Sequence, residues 1–301
     1  MALGTFQSRS KPFVTGPRPL SGWIWRGWAV DFSKGPACTG VEHGRRDIGR
    51  IPPPAPCPSG FAEISPAAMT IRLICLDADD TLWHNMRFFQ ETEAALAAML
   101  APFADGPAAH AALEACEIRN LAHYGYGAKS FTLSMIETAL ELGGDRLPVS
   151  VVADILAAGR RLLAHPVELL DGIGETLAAL HARGSLVLVT KGDLFHQEAK
   201  IAASGLGDYF AAIEIVSDKT PATFHRLFDR HGVAPHETVM AGDSLRSDIH
   251  PALTAGAWAA FIPQPLAWSH EQAAVPLDHA RFRQLATLAD LPDWIDRIGS
   301  D

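Results

Sequence analysis

The stretch "IRLICLDADDTLW", residues 71–83, decides the fold, because an apolar run ends there in three closely spaced aspartates. Such a near-continuous run is typical of a strand that is buried on both faces of a parallel sheet. Asp77, Asp79 and Asp80 follow at its carboxyl end. Two unit charges about 4 Å apart cost roughly 4 kcal/mol at an effective dielectric constant near 20. The crowding therefore calls for a compensating positive charge.

Composition restricts the class of protein. The chain has 301 residues, 48% of them hydrophobic, and a formal net charge of -9. This length allows a sizeable core, and the negative charge provides no overall electrostatic footprint for nucleic acid or anionic lipid. The sequence has no apolar run long enough to predict a transmembrane helix. Its 4 cysteines form no CxxC pair, so we interpret them as free thiols and expect a cytoplasmic protein.

The first part of the chain differs from the rest. Residues 1–68 contain 9 of the glycines and 10 of the prolines, including the stretch "PPPAPCP". Such a segment buries too little apolar surface to offset its chain entropy. We therefore expect residues 1–68 to be a disordered extension or not part of the native protein, and the fold to begin at Met69.

Strand and helix patterns alternate along the remaining chain. After the first strand, residues 87–165 contain no strand pattern and instead predict four helices. Further strands are predicted at residues 185–190, 212–217, 238–243 and 257–263, and helices near residues 172–182, 194–204, 221–231 and 246–255. This alternation predicts an α/β fold with a doubly wound, Rossmann-like parallel sheet. Residues 69–86 and 166–301 form that core, and residues 87–165 form a helical insert.

Polar side chains stand where the predicted strands end. Asp77 follows the first strand, Thr190 and Lys191 close the second, Lys219 follows the third, and Asp243 closes the fourth. Ligands of open α/β sheets bind outside the carboxyl ends of the strands. Clustered carboxylates are tolerated there when a divalent cation and a lysine share the site.

These residues carry a resemblance to a known family. The string "DADDTL" at residues 77–82, Thr190, Lys219 and the string "GDSLRSD" at residues 242–248 resemble the four motifs of the haloacid dehalogenase-like superfamily. A single DxDxT string is a weak signal, whereas four motifs in order at strand ends are specific. The resemblance covers residues 71–263, and the helical insert lies where that superfamily has its C1-type caps.

The resemblance implies a hydrolase that removes phosphate from a small phosphorylated metabolite. Asp77 is then the nucleophile that forms an aspartyl-phosphate. Asp79 is the general acid and base, which protonates the leaving oxygen and later activates water. Thr190 and Lys219 hold the phosphoryl oxygens, where preorganised charge contributes most to catalysis.

The same resemblance implies Mg²⁺ as the cofactor. The expected ligands are the carboxylates of Asp77 and Asp243 and the main-chain carbonyl of Asp79, since Mg²⁺ takes few carboxylates, waters and substrate phosphate oxygens. Ser244 and Asp248 are expected to contact the ligands of the metal or its bound waters. We expect neither a nucleic acid nor a membrane as a partner.

Some polar residues have ordinary structural interpretations. In an extended strand end, Asp77 and Asp79 share a face and Asp80 points away, so Asp80 is expected to serve in a turn or a cap. Asp193 and Thr220 precede predicted helices and are expected to be N-caps.

Other residues stand near the expected substrate. Lys191 is a candidate phosphate contact or a solvated lysine. Tyr126 and Lys129, in the glycine-containing stretch "HYGYGAKSF" at residues 123–131, are candidate substrate contacts of a lid, or parts of an ordinary turn. His84 and Arg246 are left without a role.

Alternative functions stay open at this point. A phosphonatase or a phosphomutase of the same superfamily would use similar motifs. A phospho-acceptor signalling or binding module also places an aspartate, a threonine and a lysine at strand ends, although its acceptor follows a later strand. A dehalogenase is disfavoured, because the resembling dehalogenases lack the second aspartate, here Asp79.

Overall fold

The computed structural model describes residues 70–298 and contains one six-stranded parallel sheet. The strand order is β3-β2-β1-β4-β5-β6, the doubly wound order that the alternating pattern predicts. The strands are β1 Leu73–Leu76, β2 Ser185–Lys191, β3 Ala212–Val216, β4 Thr238–Gly242, β5 Trp258–Phe261 and β6 Phe282–Gln284. The predicted extension over residues 1–68 lies outside the described residues.

Strand β1 lies in the middle of the sheet because all four of its residues are apolar and buried. Ile74 and Leu76 pack into a core cluster on one face of the sheet, and Leu73 and Cys75 pack into a second cluster on the other face. Leu76 pairs with Leu188 of β2 and with Ala241 of β4. Beyond this level β4 continues to Gly242 and β2 continues to Lys191, and the residues that follow the three strands lie at the same edge of the sheet.

Five helices cover the two faces of the sheet. They are α5 Ile173–His181, α6 Leu194–Ser204, α7 Pro221–His231, the short α8 His250–Thr254 and α9 Leu291–Arg297. Helices α5, α6 and α9 contribute to the core cluster that contains Leu76, and α7 and α8 contribute to the one that contains Cys75. The predicted helix over residues 246–255 is a π-helical turn, Leu245–Ile249, that continues into α8.

Four helices follow β1 over residues 86–164, where the sequence predicts them. They are α1 Met86–Leu100, α2 Gly106–Tyr124, α3 Ala128–Gly143 and α4 Val149–Ala164. Their apolar faces form a core of their own, with Leu100, Phe131, Met135 and Ile155 among its buried members. No helix within residues 70–298 is long and apolar enough to cross a membrane.

The predicted helix caps are confirmed at α6 and α7. The Asp193 side chain accepts a hydrogen bond from the His196 backbone N–H at 3.0 Å. The Thr220 hydroxyl accepts one from the Thr223 N–H at 3.2 Å, with Pro221 at the first helical position. These bonds satisfy N–H groups that have no partner within a helix, and they fix where each helix leaves the strand end.

Sequence patterns predict neither helix α9, Leu291–Arg297, nor strand β6. Strand β6 is the shorter of the two. It has three residues, of which only Phe282 is buried. An edge strand with so little apolar surface has no periodicity to recognise. It forms because Ala259, Ala260 and Phe261 of β5 offer an unpaired edge in register.

The α3–α4 contact gives a test of packing. A Cβ at Gly159 would lie 2.2 Å from the Thr132 Oγ1, and that hydroxyl is fixed by donating to the Ala128 carbonyl at 2.7 Å. We expect Gly159→Ala to lower the free energy of unfolding by about 1–3 kcal/mol through overpacking. This loss should outweigh the helix propensity of alanine, about 1 kcal/mol relative to glycine. Urea denaturation measures it.

Gly174→Ala in α5 is the matched control, because a Cβ there meets nothing within 4 Å. We expect its stability to equal or exceed that of the wild type. A Gly159→Ala protein as stable as the control would contradict the close α3–α4 contact.

Candidate active site

One cavity collects most of the predicted site residues at the carboxyl edge of the sheet. Its lining includes Asp77, Asp79, Asp80, Tyr126, Thr190, Lys191, Lys219, Asp243, Ser244 and Asp248. Lys129, His84 and Arg246 are not part of that lining. The prediction that four strand ends meet at one site is therefore consistent with the structure, and the helices α1, α2 and α3 form the opposite wall.

Lys219 stands at the centre of the site, between two carboxylates. Its side chain is only 2% exposed, and its Nζ donates to Asp77 and, at 2.6 Å, to Asp248 Oδ1. Burial disfavours a charged lysine, yet Asp248 and Asp77 raise the pKa of Lys219 above its ordinary value. The lysine is the compensating charge that the aspartate-rich stretch requires.

Three carboxylates converge beside this lysine. One oxygen each of Asp77, Asp243 and Asp248 lies within 4.8 Å of the others. Burial, followed by the neighbouring acids Asp77 and Asp248, raises the pKa of Asp243 well above its ordinary value. Burial also raises the pKa of Asp77, Lys219 opposes that shift, and Asp248 adds to it. Hard oxygen donors in such a group suit a divalent cation such as Mg²⁺.

Asp248, which the sequence predicts as a support for the metal or its waters, lies in this group of three carboxylates. Its Oδ2 accepts from the Ser244 N–H at 3.0 Å, and its Oδ1 accepts from Lys219. Gly242 makes the approach possible, because a Cβ there would lie 2.2 Å from Asp248 Oδ2. Asp248 lies in the π-helical turn Leu245–Ile249 that follows β4.

Asp79 is held by three side chains. Trp83 Nε1 donates to it at 2.6 Å, Gln197 Nε2 at 3.1 Å, and Lys200 Nζ to its two oxygens at 2.6 and 2.7 Å. Burial alone would raise the pKa of Asp79, but Lys200, with help from Trp83 and Gln197, lowers it below the ordinary value. The structure thus favours the ionised form of the predicted general acid and base.

Asp80 combines a predicted feature with an unexpected one. It accepts hydrogen bonds from the Asn85 N–H at 2.9 Å and from the Met86 N–H at 2.9 Å, the expected capping role at the start of α1. The prediction that it points away from Asp77 and Asp79 is wrong, since Asp80 lines the same cavity. The reason is its left-handed backbone, with φ of 57°, which ends the alternation of an extended strand.

Gln197 and Lys200 are site residues that sequence reasoning missed. Both lie on α6 and are buried, at 2% and 5% exposure. Gln197 Nε2 also donates to Thr190 Oγ1 at 2.6 Å and to the Lys191 carbonyl at 3.1 Å. Their spacing of three places them on one helix face. A lysine in a helix is ordinarily solvated, so Lys200 by itself does not indicate a site. The available sequence signal is that Gln197 and Lys200 share the face of α6 that is turned towards the sheet.

Lys191 has protein partners in this structure. Its Nζ donates to Ser247 Oγ at 2.6 Å and to Glu271, and lies 3.8 Å from the centre of the Tyr126 ring. Glu271 also accepts from Ser244 Oγ at 2.6 Å. Burial would raise the pKa of Glu271, but Lys191 and the serine hydroxyls lower it to about 2. Glu271 follows β5 in an irregular segment, so no pattern marked it.

The loop between α2 and α3 brings one of its two candidates to the cavity. Gly125 and Gly127 have φ of 69° and 111°, and Tyr126 between them lines the cavity, with its ring centre 6.3 Å from that of Trp268. Lys129 instead forms an ion pair with Asp193 at 2.8 Å; Asp193 lines the cavity, and Lys129 does not. The loop therefore contacts the strand ends at two points.

Comparison with known proteins agrees with this geometry. A family model described as haloacid dehalogenase-like hydrolase matches residues 71–256. A haloacid dehalogenase-like family hydrolase from Xanthomonas campestris is 39% identical, with a TM-score of 0.69 over 77% of this chain and 93% of its own. The magnesium-bound putative HAD-hydrolase YfnB from Bacillus subtilis, at 19% identity and a TM-score of 0.54 over 75% of this chain and 99% of its own, shares the fold.

A curated relative has a named activity. N-acylneuraminate-9-phosphatase from Mus musculus is 34% identical over 137 residues, which is 43% of this chain and 53% of that protein. The chain thus spans about half the length of the curated relatives it matches.

The Glu271 contacts predict a pH-dependent stability. The pKa of Glu271 is about 2 in the folded chain against an ordinary 4.5, so its ionisation stabilises the folded state above about pH 4.5. We expect Glu271→Gln to lower the free energy of unfolding by about 1–3 kcal/mol at neutral pH, because Lys191 loses a charged partner. The difference from the wild type should shrink as the pH falls from about 4.5 towards 2. Urea titrations across this range measure it.

Glu198→Gln, an exposed position on α6, is the control and should show no such loss. A Glu271→Gln protein with wild-type stability at neutral pH would contradict the role of this carboxylate.

Proposed function

The chain belongs to the haloacid dehalogenase-like hydrolases, and on that premise we propose that it is a Mg²⁺-dependent phosphatase of a small phosphomonoester. The observation that carries the proposal is the group of Asp77, Asp243 and Asp248 around Lys219 at the strand ends. The curated relatives that carry the name N-acylneuraminate-9-phosphatase support the reaction class.

Asp77 is the proposed nucleophile. Its carboxylate oxygen bonds to phosphorus as the bond from phosphorus to the leaving oxygen breaks, which produces an aspartyl-phosphate and an alcohol. Water then attacks phosphorus, so that the chain recovers the Asp77 carboxylate and releases inorganic phosphate. Lys219, already in contact with Asp77, and the buried Thr190 hydroxyl would hold the phosphoryl oxygens.

Asp79 is the proposed proton carrier. It lines the same cavity as Asp77, donates a proton to the leaving oxygen in the first half of the reaction, and accepts one from water in the second. Its lowered pKa suits the second half, in which an ionised carboxylate is needed as the base. The proton that it accepts from water there is the one that it donates to the leaving oxygen in the next turnover.

The carboxylates of Asp77 and Asp243, with the main-chain carbonyl of Asp79, would hold Mg²⁺, and Asp248 and Ser244 would support them. The ion would neutralise the carboxylates and polarise the phosphoryl group. The donor set fits, because the raised pKa values of Asp77 and Asp243 indicate buried acids that lack sufficient positive charge.

The helical wall of the cavity would receive the leaving group. That wall combines the apolar side chains of Phe89, Leu121 and Phe131 with the polar Tyr126. We propose Tyr126 and Lys191 as substrate contacts. Lys129, which lies on Asp193, would contact substrate only after that ion pair opens.

The nucleophile assignment is tested by Asp77→Asn. We expect the Mg²⁺-dependent release of phosphate from p-nitrophenyl phosphate, and from a panel that includes N-acylneuraminate 9-phosphate, to fall by roughly a thousandfold or more, as for other covalent nucleophiles. An amide cannot form the acyl phosphate. Asp154→Asn, at an exposed position on α4, should keep wild-type turnover. Undiminished turnover by Asp77→Asn would refute the nucleophile, and an inactive wild type would refute the phosphatase.

The metal assignment predicts an effect of pH on stabilisation by Mg²⁺. The pKa of Asp77 is about 7 in the metal-free folded chain against an ordinary 3.8. Between these two pKa values the folded state therefore binds more protons than the unfolded state, and the stability that this proton contributes is lost as the pH rises through about 7. Mg²⁺ binds the ionised carboxylates, so we expect it to raise the Tm more at about pH 8 than at about pH 5.5. A concentration of 100 Kd contributes about 2.7 kcal/mol.

Thermal unfolding with MgCl₂ or with EDTA measures this difference. Asp243→Asn should remove most of the Mg²⁺-dependent shift at about pH 8. Equal Tm shifts at both pH values, or a full shift in Asp243→Asn, would contradict the assigned ligands.

A further inference from the structure

Helix α6 places two polar side chains, Gln197 and Lys200, in the lining of the cavity. Gln197 and Lys200 are both buried, and α6 starts directly after β2 with Asp193 as its N-cap. The cap fixes the first turn of α6, and the spacing of three residues puts both side chains on the same face. This face is therefore rigidly placed with respect to Thr190 on β2.

Lys200 contacts Asp79 symmetrically. Its Nζ lies 2.6 Å and 2.7 Å from the two carboxylate oxygens, and its third contact is Asn85 Oδ1 at 3.2 Å. Trp83 Nε1 approaches the Oδ1 of Asp79 from the other side at 2.6 Å. An ammonium that bridges both oxygens restricts the rotation of the carboxylate, because any turn lengthens one of two charge-assisted bonds.

Gln197 connects this carboxylate to the predicted phosphate contact. Its Nε2 lies 3.1 Å from Asp79 Oδ2 and 2.6 Å from Thr190 Oγ1. The amide is also held by the Lys191 carbonyl at 3.1 Å. One side chain thus sets the separation of the Asp79 carboxylate and the Thr190 hydroxyl.

We propose that Lys200 and Gln197 form a clamp that positions Asp79 for proton transfer to the leaving oxygen. This inference rests on the proposed phosphatase function and adds two positioning residues to it. Neither side chain reacts: the proton that Asp79 accepted from water in the preceding turnover passes to the leaving oxygen as the bond from that oxygen to phosphorus breaks. Without the clamp, the Asp79 carboxyl group rotates among several orientations, and few of them reach the leaving oxygen.

The clamp predicts a particular dependence on the leaving group. A p-nitrophenolate leaves with little help from an acid, whereas an alkoxide leaves only when it is protonated. A loss of acid positioning therefore slows alkyl phosphates far more than p-nitrophenyl phosphate. A merely structural loss slows both substrates alike.

The experiment compares wild type, Lys200→Met, Lys200→Arg and Gln197→Ala on p-nitrophenyl phosphate and on an alkyl phosphate, with saturating Mg²⁺. We expect kcat of Lys200→Met to fall at least about tenfold more on the alkyl phosphate, within the usual range for general acid catalysis. KM should stay within about twofold. Lys200→Arg should recover part of the loss, because its guanidinium also donates to two carboxylate oxygens.

Gln197→Ala keeps the buried charges balanced, so it decides the question if Lys200→Met does not fold. Its kcat should also fall more on the alkyl phosphate than on p-nitrophenyl phosphate, by a smaller factor than for Lys200→Met. Arg230→Met, which removes a surface pair with Glu214, is the control and should change neither substrate. In an Asp79→Asn background, Lys200→Met should cause no further loss of selectivity.

Two results separate the possible failures. Equal losses on both substrates, or an added selectivity loss in the Asp79→Asn background, would overturn the clamp while the phosphatase function stands. An inactive wild type on both substrates would overturn the proposed function itself.

Discussion

The ammonium group of Lys219, buried between Asp77 and Asp248, is the interaction on which the site depends. Three aspartates at neighbouring strand ends would repel one another in a protected cavity. Burial first, and then the neighbouring acids, keep the pKa values of Asp77 and Asp243 raised despite this lysine. A divalent cation at the strand ends would favour the ionised form of both carboxyl groups.

A second ion pair serves a different purpose in the same cavity. Lys200 lowers the pKa of Asp79, whereas the pKa of Asp77, in contact with Lys219, stays raised by burial and by its acidic neighbours. Two aspartates two positions apart thus acquire opposite pKa shifts from their surroundings. The lowered pKa of Asp79 suits the base of the proposed reaction, and the proposed nucleophile Asp77 would need the charge of a bound Mg²⁺ to be ionised.

The sequence predicts the strands, the helix caps and the meeting of the strand ends well, because each depends on local patterns and on the geometry of parallel sheets. It places Asp80 less well, since a left-handed residue interrupts the alternation of an extended strand, and it does not predict the π-helical turn that contains Asp248. Gln197, Lys200 and Glu271 escape prediction for another reason. Their importance arises only from tertiary contacts, and nothing near them in the chain marks them as buried.

The central place of β1 has a consequence for how the chain is made. Leu73 pairs with Ser185 on one side and with Thr238 on the other. Both of these distant segments must therefore be synthesised before β1 has a partner strand on each side. The helices between them complete their own core from nearby residues, and local contacts form fastest. Until residues 238–242 have been synthesised, β1 therefore lacks its β4 partner, and an unpaired apolar strand of this kind favours aggregation.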